Sequence, residues 1–340
     1  MTTSCGYPSY AKLAANSFLA LIFKARNLRR ELYSSALSVL CFLFIHYKSN
    51  AQTYEGLNQL KGYQTDTYFS LGSEAKARRM AQQLDHVLAF YTDQLNFTPT
   101  VTLLILSPGD WKKFTKFPFY GMPHYTSNKT LIVASEDNDY WKSMVPAADK
   151  IPAAYAGLIK ETYTDKKGGL TMEPFFDLLA IHELGHAYHN QGGLVMQRRW
   201  MGELFPNILL HTYIAEKEPK LLNALTAFPK MVVATTDRST LNYTTLQELE
   251  ANYNQIGPNY PQNYGWYQCR WHIAAGKIYD AGKIEAFKNL WLTLKTQREI
   301  LNDTEFAGLL HEKVHESVAD VQINWDKTVS KPNHAQIMFR

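Results

Sequence analysis

The segment from residue 73 to residue 95 repeats apolar side chains at intervals of three and four. These positions are Met80, Leu84, Val87, Tyr91 and Leu95. Such spacing places the apolar residues on one face of an α-helix. Ser73 stands at the N-cap position, so the pattern predicts a helix from Ser73 to about Leu95. Its first turns carry three basic residues that we expect on a solvated face: Lys76, Arg78 and Arg79.

Two short runs of β-branched and aliphatic residues predict strands in the first half of the chain. Thr100 to Leu106 (TVTLLIL) ends at a Ser-Pro-Gly sequence, and Thr130 to Ser135 (TLIVAS) ends at an acidic turn. Between them, Phe117 to Asn128 (FPFYGMPHYTSN) is rich in proline, glycine and aromatic residues. We therefore expect a structured loop between the two strands.

Helical patterns dominate from Met172 onward. Pro174 suits the first turn of a helix that ends at Gly192-Gly193, where glycine can adopt the left-handed cap conformation. Further helical patterns occur near residues 200–215, 218–227, 244–255, 260–280 and 283–295. The order is one helix, a small sheet and then many helices. This order predicts an α+β fold with the sheet in the N-terminal part and a mostly helical C-terminal part.

The first 51 residues differ from the rest of the chain. The apolar run Ser35 to Ile45 follows four basic residues and precedes a small-residue cleavage motif that ends at Ala51. This order is typical of a secretory signal peptide. The alternative is a membrane anchor, but the run is too short, because a spanning helix needs about 20 apolar residues. We therefore expect cleavage after Ala51, an extracytoplasmic location and no stable membrane insertion of the mature chain, residues 52–340. The stretch before the run is long for a signal peptide, which leaves the true start of translation open.

Removal of residues 1–51 changes the charge of the chain. This segment contains six basic residues and one acidic residue, so the formal net charge falls from +4 to −1. The mature chain has no basic excess, and its charge gives no reason to expect nucleic acid as a partner. Cys269 is the one cysteine of the mature chain, so we expect a buried thiol and no intrachain disulfide.

The predicted helix that ends at Gly192 contains the sequence His182-Glu183-Leu184-Gly185-His186 (HELGH). Two histidines four residues apart project from one face of a helix, and this separation suits two ligands of one tetrahedral zinc ion. Glu183 is offset by one position, so its carboxylate stands beside the metal. There it can take a proton from water and pass it to a leaving amine. The alternative is a buried helix whose histidines make ordinary polar contacts.

A catalytic zinc ion generally has three protein ligands, so a third residue is expected. The metzincin continuation is excluded, because His189 and Gly192 occupy the positions that require glycine and histidine. His189 as a ligand would lie about 10 Å from His182 along the helix axis, which is too far for one ion. A role next to the ligands, or a place on the surface, suits His189 better.

The preferred third ligand is Glu203, in the sequence WMGELF on the next predicted helix. A turn at Gly192-Gly193 allows that helix to fold back and present one carboxylate to the two histidines. The alternatives are Glu248 and Glu250. Pro206 follows closely, so the helix is expected to begin near Glu203 or to kink there.

HELGH at residues 182–186 and the downstream Glu203 make the sequence resemble the gluzincin peptidases, in particular the small bacterial peptidase MA-like group. The resemblance covers roughly residues 70–290. It implies a zincin-like fold in which the active-site helix lies between a sheet-containing subdomain, about 52–193, and a helical subdomain, about 194–340. It also implies one Zn²⁺ per chain, bound by His182, His186 and Glu203, and a peptide or protein substrate.

Gluzincins also use a tyrosine or a histidine to stabilise the oxyanion that forms when water attacks the carbonyl. Tyr264, Tyr267 and His272 lie at a suitable distance beyond Glu203, and we choose Tyr267. The resemblance further implies an edge strand above the metal that pairs with an extended peptide. Thr130 to Ser135 is either this edge strand or an interior strand.

The sequence therefore predicts an exported zinc metallopeptidase in which Glu183 acts first as general base and then as general acid. One alternative is a non-catalytic zinc-binding domain of the same fold. Another is a zinc hydrolase that acts on a different amide. The presence of Glu183 favours an enzyme, because a zinc site that serves stability alone has no use for that carboxylate.

Overall fold

The structure, a computed structural model, describes residues 54–144 and 151–327. The predicted signal peptide, residues 1–51, lies outside the described residues. The described chain from Gly56 onward forms one compact unit. No helix in the described ranges is long and apolar enough to cross a membrane.

The sheet of the N-terminal part has five strands: β1 (Asn58–Leu60), β2 (Asp66–Phe69), β3 (Thr102–Leu106), β4 (His124–Tyr125) and β5 (Thr130–Ala134). Their spatial order is β1-β2-β3-β5-β4. The three central strands are parallel, and the outer strands β1 and β4 run antiparallel to their neighbours. The expected small mixed sheet is confirmed, and the two strands predicted from the sequence are β3 and β5.

β5 is an interior strand of this sheet. Its Leu131 pairs with Leu103 of β3 on one side and with Tyr125 of β4 on the other. All five residues of β5 are buried, because neighbouring elements cover its faces as well as its edges. Of the two interpretations of this segment, the interior strand is therefore correct. The outer position belongs to β4, which the sequence analysis assigned to a loop.

Helices surround the sheet and build the C-terminal part of the chain. They are α1 (Glu74–Leu95), α2 (Pro108–Phe114), α3 (Asp139–Ser143), α4 (Ala153–Tyr163), α5 (Glu173–Gly192), α6 (Arg199–Lys217), α7 (Leu222–Thr235), α8 (Leu246–Asn259), α9 (Pro261–Thr296), α10 (Asp303–Leu309) and α11 (Glu316–Ile323). α9 is kinked at Lys283, where φ is 48°. The mostly helical C-terminal part is confirmed.

α1 carries its apolar face inward as predicted, but Lys76 does not lie on a solvated face. The Lys76 side chain is buried, and its Nζ lies 3.0 Å from Glu173 Oε1 and 2.9 Å from Asp177 Oδ1. Arg79 Nη1 also contacts Asp177, at 2.7 Å. A buried ammonium group requires such opposite charges. These ion pairs connect α1 to the first turns of α5.

α5 and α6 lie against each other in the core. α5 has Pro174 in its first turn and ends at Gly193, whose φ of 68° gives the expected left-handed cap. α6 begins at Arg199 and continues through Pro206, so it does not begin at Glu203. Proline removes one N–H from the helix interior. The extensive burial of α6, from Trp200 to Ile214, favours the helix in spite of that loss.

Candidate metal centre

α5 presents the HELGH sequence to the interior of the molecule. His182 is 5% exposed, whereas Glu183 and His186 are half-buried. The two imidazole rings lie one turn apart, with centroids 4.9 Å from each other. The helix therefore places both rings on the same side, with part of the Glu183 side chain open to solvent.

α6 brings a carboxylate to these two rings. Glu203 is 5% exposed, and its Oε2 lies 3.6 Å from His182 Nε2 and 4.0 Å from His186 Nε2. One ligand atom from each of the three residues lies within 4.8 Å of the other two. We call these three residues, His182, His186 and Glu203, the trio; together they could hold a metal ion.

The geometry of the trio fits a zinc ion. Two ligands about 2 Å from a tetrahedral ion lie about 3.3 Å from each other. Glu203 Oε2 lies slightly farther, 3.6 and 4.0 Å, from the two imidazole nitrogens. Two imidazoles and one carboxylate form a ligand set that catalytic zinc uses in proteins. The trio is the one group of three or more such side chains within metal-binding reach in the part of the chain that the structure describes.

Two side chains from later helices hold the Glu203 carboxylate. The Tyr253 hydroxyl on α8 donates a hydrogen bond to Glu203 Oε1. Gln268 Nε2 on α9 donates to Glu203 Oε2 at 2.8 Å and also to the Tyr264 hydroxyl at 2.9 Å. Three helices thus meet at one carboxylate. The donors limit its rotation, as expected for a preorganised ligand.

The charges of the trio depend on one another. Burial alone would lower the pKa of His182, but the nearby carboxylates of Glu203 and Glu183 outweigh burial and raise it. Burial would raise the pKa of Glu203, but the two neighbouring histidines hold it far below its usual range. At His186 the charge of Glu203 does not offset the effect of burial, which lowers the pKa to about 3. The pocket therefore contains an ionised carboxylate and at least one neutral imidazole, as a metal site requires.

Glu183 has the properties of a proton carrier. Burial raises its pKa to about 7, while the His182 charge and a hydrogen bond from the Tyr125 backbone act in the opposite direction. A general base is most effective when its pKa lies near the working pH. β4 also packs against α5, the helix that carries Glu183.

Gln191, near the end of α5, connects the HELGH helix to the sheet. Its Nε2 donates to the Thr100 carbonyl at 2.8 Å and to the Tyr125 hydroxyl at 2.9 Å. Its Oε1 accepts the Thr100 N–H at 3.0 Å. These bonds fix the spacing between α5 and β4, the outermost strand on this side of the sheet.

The structure does not bring Tyr267 to the trio. Its hydroxyl donates to the Thr245 carbonyl at 2.7 Å, and its ring stacks on Trp271 and Trp325 in a buried aromatic cluster. Tyr264, three residues earlier on α9, has different partners. Its hydroxyl shares Gln268 with Glu203, and the negative charges of Glu203 and Glu183 add to burial in raising its pKa.

The remaining candidates have other partners. His272 is buried with its ring centroid 6.4 Å from that of His182, and burial lowers its pKa well below the ordinary value. Glu248 accepts the N–H groups of Thr244 and Thr245 in a capping box of α8. Glu250 accepts the Trp200 N–H at 3.0 Å at the start of α6. Neither of these glutamates belongs to the trio.

His189 lies next to the trio without joining it. Its Nε2 is 3.0 Å from His186 Nδ1, so the two rings share one hydrogen bond. The residues missed by the sequence analysis are Tyr253, Gln268 and Asn207. Asn207 follows Glu203 by one helical turn, so the sequence spacing alone places the two side chains next to each other. Tyr253 and Gln268 come from distant helices and had no such signal.

Comparison with protein-family models, with curated proteins and with solved structures finds no match to this chain. The resemblance to gluzincins thus stays a prediction from the motif. The burial, the distances and the hydrogen bonds of the trio support a candidate metal centre.

Proposed function

We propose that this chain is an exported, zinc-dependent peptidase. The observation that carries the proposal is the meeting of His182, His186 and Glu203 beside the half-buried carboxylate of Glu183. A structural zinc site is closed by four protein ligands, whereas a catalytic site keeps a position open. Three ligands with an acid-base group at the open side favour catalysis over a structural role.

The trio would hold the metal through His182 Nε2, His186 Nε2 and Glu203 Oε2, because both imidazole nitrogens face this carboxylate oxygen. A bound zinc ion supplies Lewis acidity, which makes water a better nucleophile and polarises a carbonyl group. The buried position of Glu203 keeps bulk water away from the ligands, and Tyr253 and Gln268 hold its carboxylate in place.

Glu183 moves the proton. Its carboxylate takes a proton from the attacking water as the oxygen bonds to the scissile carbonyl carbon. It then delivers that proton to the amide nitrogen, the C–N bond breaks, and an amine and a carboxylic acid leave. A pKa raised to about 7 by burial suits a group that must both accept and donate.

Tyr264 replaces Tyr267 in our assignment of the oxyanion-stabilising residue. Its hydroxyl accepts the Gln268 amide, so the hydroxyl proton remains free to donate to a developing negative charge. The raised pKa of Tyr264, caused by burial and by the charges of Glu203 and Glu183, keeps this proton in place at neutral pH.

We place the substrate backbone along β4. β4 is the outermost strand on this side of the sheet, and it lies beside Glu183. An extended peptide can pair with the outer edge of such a strand through main-chain hydrogen bonds. This placement accounts for a substrate class of peptides or unfolded proteins. Export rests on the composition of residues 1–51.

Hydrolysis of denatured casein tests the proposal. The wild-type protein should release peptides, a chelator should abolish the release, and added zinc should restore it. The Glu183→Gln variant serves as the control for a contaminating protease. Zinc binding without hydrolysis of casein or of a peptide library would favour the non-catalytic zinc domain instead.

A further inference from the structure

The two liganding imidazoles each have a second nitrogen that the metal would not use. An imidazole that binds zinc through Nε2 carries its proton on Nδ1, and a buried N–H needs an acceptor. Such acceptors orient the ring and are commonly carboxylates or backbone carbonyls. Neither a carboxylate nor a backbone carbonyl bonds the Nδ1 atom of His182 or His186 among the described residues.

His186 Nδ1 faces another histidine. His189 follows it by three residues on α5, and its Nε2 lies 3.0 Å from His186 Nδ1. With the proton on His186 Nδ1, His189 Nε2 must be the acceptor, so His189 carries its own proton on Nδ1. An imidazole that accepts a hydrogen bond must be neutral, so the arrangement requires a neutral His189.

His182 Nδ1 is buried without a hydrogen-bond partner among the described residues, and so is Oδ1 of Asn207. Asn207 is 0% exposed and lies one turn after Glu203 on α6, where its Nδ2 donates to the Glu203 carbonyl at 2.9 Å. Its amide oxygen therefore points away from that bond.

We infer that Asn207 and His189 are positioning residues of the metal centre: each accepts the Nδ1–H of one liganding imidazole and so directs its Nε2 to the ion. The two buried atoms without partners, His182 Nδ1 and Asn207 Oδ1, are the donor and the acceptor that this inference pairs. Both acceptors are uncharged, so Glu203 supplies the one negative charge among the ligands and these acceptors. This inference rests on the proposed zinc site.

Pairs of variants that keep or remove the acceptor test the inference in the full-length protein. Asn207→Asp keeps an acceptor oxygen, and His189→Gln replaces the acceptor nitrogen by an acceptor oxygen. Asn207→Leu and His189→Leu remove the acceptor. Zinc affinity is measured by competition with a chromophoric chelator. We expect a loss of about 10- to 100-fold in the leucine variants and a change below about threefold in the acceptor-keeping variants.

Two buried polar residues outside the trio serve as matched controls. Thr212→Val removes the hydroxyl of a residue that is 0% exposed on α6, and His211→Leu removes the one imidazole of that helix, which is also buried. Both controls should bind zinc as the wild type does. Leucine variants with wild-type affinity, or an equal loss in each leucine and acceptor-keeping pair, would overturn the inference while leaving the zinc site itself intact.

The protonation of the rings can also be read without any variant. Nitrogen-15 NMR of the wild-type protein, labelled in histidine and loaded with zinc, distinguishes Nδ1–H from metal-bound nitrogen. We expect His182 and His186 each to carry a proton on Nδ1 and the metal on Nε2. A metal-bound Nδ1 on either ring would overturn the inference even if the leucine variants failed to fold. A wild-type protein that bound no zinc would refute the proposed function as well.

Discussion

Pro206 of α6 lies directly against Gly185 of α5, where the two helices that carry the trio cross. A Cβ atom built on Gly185 would stand 2.7 Å from the Pro206 Cα and 2.8 Å from its Cβ. Such contacts are closer than van der Waals packing allows, so the crossing needs a glycine at this position. Gly185 thus lets α6 come close enough for Glu203 to reach His182 and His186.

Replacement of Gly185 by alanine should push α6 away from α5. Because the clash is with backbone and ring atoms that cannot rotate aside, we expect a loss of about 1–3 kcal/mol in the free energy of unfolding. The same displacement should weaken zinc binding, because Glu203 moves with α6. Urea unfolding of the metal-free protein and a zinc titration measure the two effects.

Gly202→Ala is the matched control for that variant. Gly202 is also helical and immediately precedes Glu203, but no atom lies within 4 Å of the added Cβ. We expect unchanged zinc affinity and a stability equal to or up to about 1 kcal/mol above that of the wild type. A Gly185→Ala protein as stable and as tightly zinc-bound as Gly202→Ala would refute the close-approach argument.

Glu183 and Glu203 should separate catalysis from metal binding. Glu183→Gln keeps the size of the side chain but cannot move a proton, so the variant should retain zinc and lose more than about 100-fold in kcat. Glu203→Gln removes the one charged ligand of the trio, so zinc affinity itself should fall. Zinc content and kcat are measured on the same preparations. A Glu183→Gln protein within a few-fold of wild-type kcat would contradict the assignment.

Tyr264 and Tyr267 of α9 should behave oppositely. Tyr264→Phe removes the proposed oxyanion donor, and we expect kcat to fall by about 10²- to 10³-fold with zinc retained. Tyr267→Phe breaks its hydrogen bond to the Thr245 carbonyl, so it should lower stability by about 1 kcal/mol and leave kcat unchanged. Steady-state kinetics and urea unfolding compare the pair. The reverse pattern of kcat values would return the role to Tyr267.

Tyr253 should affect zinc affinity through Glu203. Tyr253→Phe removes one of the two donors to that carboxylate, and we expect zinc to bind about 10-fold more weakly. Tyr213→Phe is the control, because it removes a similar bond, 3.0 Å long, from tyrosine to Glu218 outside the trio. Equal zinc affinity in the two variants would show that Tyr253 does not position the ligand.

The fold was predictable where the pattern was local. The apolar spacing of α1, the two buried strands and the left-handed cap at Gly193 all follow from nearby residues. β4 was not predicted, because a strand of two residues is too short to show the alternation of apolar and polar residues. The helix near residues 200–215 was predicted, but a start near Glu203 was wrong, because tertiary burial outweighs the local effect of Pro206.

The candidate site was likewise predictable only where its residues lie close together in the sequence. His182, Glu183 and His186 form a local helix motif, and Glu203 follows after one turn of the chain, so all four could be proposed from the sequence. Tyr253 and Gln268 lie 50 and 65 residues beyond Glu203, and their convergence depends on how α8 and α9 pack. The residues that flank Tyr267 do not reveal that its hydroxyl bonds the Thr245 carbonyl, whereas that of Tyr264 bonds Gln268 beside Glu203.

The central claim is that this chain binds one zinc ion through the trio. The direct measurement is elemental mass spectrometry of protein purified without chelator, made in parallel on the wild type and on Glu203→Ala. We expect one zinc ion per wild-type chain and a large loss of bound zinc in the variant. A folded wild-type protein that contains no metal, and takes up none when zinc is added, would mean that HELGH is an ordinary helix segment and would contradict the account.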